Sequence, residues 1–146
     1  MLTLHRVFIK TALIYLIVGT ALGGFMLANK GWFKIAIRHE FVTVHNHLIS
    51  VGFILMMIMG VAYWMFPRPS GVALKDIARD PLAWSSYSLL NGGLILRTIF
   101  EPLSNLDYAG SALVLSSVFQ LLAIFMFVLS IRKRVRFPVA REPLKG

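Results

Sequence analysis

From Leu48 to Phe66 the chain reads LISVGFILMMIMGVAYWMF, with no charged side chain anywhere in the run. As a helix this stretch covers about 28 Å, close to the hydrocarbon thickness of a bilayer. A helix that packs on a soluble core keeps a polar face, and buried strands are far shorter, so the run reads as a membrane span. Composition points the same way, with 58% hydrophobic residues and a mean hydropathy of +0.75. A soluble globular domain is thereby excluded. There is no cysteine, which removes disulfides, thiolate metal sites and thioether-linked cofactors and leaves His, Met and oxygen as ligands.

Three further apolar segments accompany this one, and the expected fold is an all-α, integral membrane four-helix bundle in a single domain. Its helices are placed at about residues 7–27, 41–66, 81–103 and 109–131. The first follows His5, Arg6 and Lys10, but is longer than a signal-peptide core and lacks an evident small-residue cleavage site, so it reads as a retained helix. Gly19 and Gly23 form a GxxxG within it, Thr20 and Gly24 form a second small pair, and both allow close helix approach. The connector 29–40 contains Trp32, Phe33 and Ile35 among Lys30, Lys34 and Arg38, which suggests a short amphipathic segment on the membrane surface. Pro67, Pro69 and Gly71 stop the second helix. Asp80 is placed to cap the third, with Pro81 in its first turn, where a missing N–H is harmless.

The net charge of +9 does not call for nucleic acid, because the cations lie between apolar segments and at the C-terminus rather than on one soluble face. With the N-terminus inside, the inner segments contain eleven Lys and Arg: Arg6, Lys10, Arg68, Lys75, Arg79, Arg132, Lys133, Arg134, Arg136, Arg141 and Lys145. The outer connectors contain three, Lys30, Lys34 and Arg38, so the charge bias favours N-in and C-in in a cell inner or plasma membrane.

Two features invite chemistry. His45 and His47 stand at the opening of the second span, about 200° apart around a helix, so one ion cannot be held by both from a single face. His45 shares a stripe with Leu48, Ile49, Gly52, Met56, Met59 and Tyr63, and Gly52 leaves space beside the backbone for a flat, bulky ligand. The plain alternative is a pair of interfacial histidines bonded to backbone or headgroups. The second feature is Arg97, roughly 24 Å from the start of the third helix and comparable in depth to the histidines. Its partner is either Glu101, one turn later, or the carboxylates of a cofactor such as heme propionates.

The spacing His45-x-His47-Leu48, then Gly52-Phe53, Gly60-x-x-Tyr63 and Pro67-Arg68, resembles the second helix of subunit I of the heme-copper oxidases and nitric oxide reductases, especially in short four-helix proteins related to them. Asn91-x-Gly93-x-x-x-Arg97 and Glu101-Pro102 are similar to the helix that follows. The resemblance covers about half the chain. It implies heme b, with His45 as an axial ligand of the heme iron, Arg97 as a propionate partner, and electron transfer in a respiratory complex as the function.

The chain departs from that family in having no histidine after His47, with His5 at the opposite side and His39 in the connector. It therefore lacks the histidines that an oxygen- or nitric-oxide-reducing centre needs, and the expectation is a subunit, not an autonomous oxidase. A second axial ligand would come from His47 or His39 of another copy, from a Met, or from a different membrane subunit. The rival expectation is a cofactor-free structural subunit that stabilises a larger membrane assembly. A small transporter or lipid-modifying enzyme ranks third, since no convergent acid–base set is present.

The topology is testable because the chain is free of cysteine. Lys34→Cys should react with a membrane-impermeant thiol reagent from outside, and Asp76→Cys should not; outside labelling of Asp76→Cys would overturn the orientation.

Overall fold

A computed structural model describes residues 4–66, 80–132 and 134–135 of the chain. The proline stop after Phe66 and the basic residues Arg68, Lys75, Arg79, Lys133, Arg136, Arg141 and Lys145 lie outside the described residues. Within them the fold is all-α, without a strand, and four long helices follow one another: α1 (Leu4–Ala28), α2 (His39–Met65), α3 (Pro81–Phe100) and α4 (Ala109–Ile131).

Three segments are long and apolar enough to cross a membrane: Leu4–Phe33, which extends α1 by one turn, and the helices α2 and α4. The exception is α3, which ends at Phe100 rather than near 103 and includes three serines, an asparagine and two glycines in its 20 residues. Glu101 still closes a helical bond to the Arg97 carbonyl, but Pro102 has no N–H to continue the ladder. Tight turns from Leu103 to Phe100 and from Ala109 to Leu106 then carry the chain into α4.

In the α1–α2 connector a single wide π turn, Asn29–Phe33, is followed by irregular chain up to Arg38. Lys34 adopts a left-handed conformation (φ 54°) and its N–H returns to the Asn29 carbonyl at 2.7 Å. The buried Asn29 side chain then bonds both the carbonyl and the N–H of Ile35, at 2.6 and 3.2 Å, satisfying groups that a helix would have paired. Trp32, Phe33 and Ile35 are left exposed.

Helices pair first along the chain. Between α1 and α2, a Cβ on Gly19 would lie 2.8 Å from Ile49, one on Gly23 2.7 Å from the His45 ring, and one on Gly60 2.9 Å from Phe8. The GxxxG is thus a close crossing, whereas Gly24 faces open space. Between α3 and α4, Gly93 approaches the Ser116 carbonyl, Ser116 Oγ donates to the Gly93 carbonyl at 2.7 Å, and Ser86 Oγ donates to the Ala123 carbonyl at 2.8 Å. Small residues bring backbones together and hydroxyls bond across them, the means by which helices associate where lipid removes any hydrophobic drive.

The two pairs meet through Phe8, Tyr63, Tyr87 and Phe127, whose rings lie 5.1 to 5.5 Å apart in the contacts Phe8–Tyr87, Tyr63–Phe127 and Phe8–Tyr63. Polar contacts set the register: Tyr15 Oη donates to Asn91 Oδ1, and the Thr11 and Tyr87 hydroxyls bond each other, both at 2.8 Å. Outward faces carry exposed Ile14, Ile17 and Phe25 on α1 and Val114, Leu121 and Phe125 on α4, as lipid contact requires.

Gly93→Leu should lower the thermal stability of the purified protein, because the added side chain meets backbone oxygen and the helices must separate, a cost of about 1–3 kcal/mol. Gly24→Leu should leave the melting midpoint unchanged. Equal effects of the two would refute the close α3–α4 crossing.

Candidate functional site

The four residues singled out from the sequence stand in the half of the bundle that holds the α1–α2 connector and the α3–α4 loop. These two connectors are joined at the surface: Arg38 pairs with Glu40 at 2.7 Å and donates to Asn105 Oδ1 at 3.4 Å, while Ser104 Oγ donates to Glu40 at 3.2 Å.

His45 turns toward α1. Its Nδ1 lies 2.8 Å from the Gly19 carbonyl, and its ring rests on Gly23, where no larger residue would leave it space. A carbonyl oxygen can only accept, so Nδ1 carries the proton and, in the neutral ring, the lone pair is on Nε2. This is the arrangement by which a second hydrogen bond fixes both tautomer and ring orientation of a metal-ligating histidine. It is equally a bond that ties two membrane helices together.

His47 bonds within its own helix, Nδ1 lying 3.0 Å from the Thr43 carbonyl. The two histidines thus have separate partners, one across the α1–α2 crossing and one along α2. Immediately after them α2 widens into a π-helical stretch, Leu48–Leu55, before resuming as Met56–Met65. Each wide turn leaves backbone groups less regularly stacked, and such segments cluster at functional positions. The stripe read from the sequence keeps one buried face through it: Leu48, Gly52, Met56, Met59 and Tyr63 are all buried.

Gly52 does not leave room for a flat ligand. A Cβ there would lie 2.8 Å from both the Tyr15 ring and Leu94, so the niche beside the glycine is already filled by α1 and α3. The Tyr15–Asn91 hydrogen bond holds the ring in that place. Arg97 is paired with Glu101, Nε to Oε2 at 3.3 Å along α3, both side chains being largely buried. The geometry falls short of a hydrogen bond, so the contact is an ion pair. Among the described residues no group of three or more His, Cys, Asp or Glu converges as a metal site.

Tested against heme, the set fits in part. The donor chemistry of His45 suits an axial ligand, while the seat expected at Gly52 is occupied by side chains and the Arg97 guanidinium already has a carboxylate. Tyr15 and the π-helical stretch were missed in the sequence; the signal for Tyr15 was a lone hydroxyl-bearing ring in an apolar run, with Asn91 as another polar group that needs a partner.

Replacing His45 by Leu should destabilise the protein by about 1 kcal/mol through loss of the interhelical bond. His47→Leu should cost less, because its bond lies within one helix. Unfolding titrations in detergent measure both, and an equal loss at the two positions would contradict the orientation of His45. No family model, curated protein or solved structure matches the chain, so nothing beyond its own motif residues links it to the heme-copper oxidases.

Proposed function

We propose that this chain is a membrane subunit that supports heme b for electron transfer within a redox complex, with both termini in the cytoplasm. The observation that carries the reading is the His45 Nδ1 hydrogen bond to Gly19, which leaves Nε2 as the nitrogen that could ligate. When bound, heme supplies reversible one-electron chemistry, tuned by its axial ligands and by the polarity around it. The chain's own residues would act around it: Gly23 admits the ring of His45, Gly19 sets its tautomer, and Arg97 offers a cation once Glu101 releases it. A second axial nitrogen would come from another copy or another subunit. His47 is suited to this, since its Nδ1 is likewise engaged.

The filling of the Gly52 niche favours a second reading, a structural subunit without cofactor whose former ligand positions now serve packing. Colour separates the two. Protein isolated gently with its native partners should show a reducible b-type spectrum, and His45→Ala should abolish it while membrane insertion persists. Arg97→Leu should weaken heme retention. A full spectrum surviving His45→Ala would remove His45 as the ligand, and a colourless complex with all partners present would establish the structural reading.

A further inference from the structure

At the connector end of the bundle, Arg38 is paired with Glu40 and Arg97 with Glu101, while Lys30 and Lys34 are exposed in the irregular connector with no ion pair among the described residues. At the opposite end, where Tyr63 and Asp80 lie, the described carboxylate is Asp80, and its two oxygens are engaged by the Leu82 N–H and by Ser130 Oγ at 3.1 and 2.6 Å. Arg134 is withdrawn as well: it is buried, donates to the Tyr63 carbonyl at 3.2 Å and lies 5.2 Å over the Tyr63 ring. Arg6 and Lys10, by contrast, are exposed on α1 and have no ion-pair partner among the described residues.

Arg6 and Lys10 are four residues apart, so their side chains leave α1 from one face, about 6 Å apart at their origins. Two like charges in this relation repel, and the repulsion is stronger beside hydrocarbon than in water. An anion held between them reverses its sign. Long basic side chains near the end of a spanning helix also bring their charge to headgroup depth.

We propose that Arg6 and Lys10 form a binding site for the phosphate of an anionic phospholipid headgroup. A guanidinium supplies two parallel donors to phosphate oxygens and an ammonium adds a point charge one turn deeper. The acyl chains of such a lipid would lie along the exposed apolar face of α1 that begins with Leu13 and Ile14.

Trp64 is a natural reporter: it is 68% exposed, one turn after Gly60, and Gly60 packs against Phe8 and Ile9 of α1. In the full chain carrying Trp32→Phe, reconstituted in phosphatidylcholine bilayers, brominated phosphatidylglycerol should quench the remaining tryptophans more than brominated phosphatidylcholine at equal mole fraction. Arg6→Gln and Lys10→Gln should each lower that preference about fivefold, and the double variant should lose it. Arg6→Lys should retain most of it, and Lys34→Gln, at the other end, should change nothing. Equal quenching by the two lipids, an unaltered preference in the double variant, or displacement of the lipid by inorganic phosphate would each overturn the proposal.

Discussion

The crossing of α1 and α2 is the contact on which the rest of the structure depends. Gly19 and Gly23 on one helix and Gly60 on the other let two backbones come close enough for Ile49, His45 and Phe8 to fill what the glycines leave. With the helices at that distance, the His45 ring reaches the Gly19 carbonyl, and one hydrogen bond fixes both the rotation of α2 and the tautomer of the histidine. Because the stripe from Leu48 to Tyr63 is locked inward by the same rotation, the packing of α3 against it follows. Leu94 enters beside Gly52, and Val44, Leu48 and Leu94 form one buried cluster.

Polar side chains then do what apolar contact in a membrane does not, which is to select one register. Tyr15 with Asn91, Thr11 with Tyr87, Ser86 with Ala123 and Ser116 with Gly93 each join two helices at a single height. At the far end, Asp80 caps α3 through Leu82 and accepts from Ser130 of α4, while Arg134 closes over Tyr63 of α2. A half-turn slip of any helix would leave several of these groups without partners in a medium that offers no water.

Much of this was legible in the chain. Helix-length apolar runs gave α2 and α4 nearly residue for residue, Asp80 before Pro81 marked the start of α3, and the i, i+3, i+4 stripe on α2 is the buried face. Charge alternation does not reveal which end of a bundle a glycine faces, however, and a glycine in a sequence looks the same whether a ligand or a neighbouring ring fills the space beside it. Gly52 was such a case, with Tyr15 supplied from 37 positions earlier. The detailed path of the connector after α1 was not legible for a related reason: Asn29 substitutes its side chain for the helical partners of Ile35, a local exchange that hydrophobic periodicity does not register. The π-helical stretch of α2 left no mark in composition, since Leu48–Leu55 is apolar throughout apart from Ser50 and Gly52.

The rotation of α2 and the candidate ligand both depend on the protonated Nδ1 of His45 and its contact with Gly19. Solid-state NMR of bilayer-embedded protein, with nitrogen-15 in histidine and carbon-13 in glycine carbonyls, reads both at once. The structure predicts a protonated Nδ1 on His45, with dipolar coupling from Nδ1 to one glycine carbonyl that disappears in His45→Gln. Protonation at Nε2 alone, with no glycine carbonyl coupled to the ring, would contradict it.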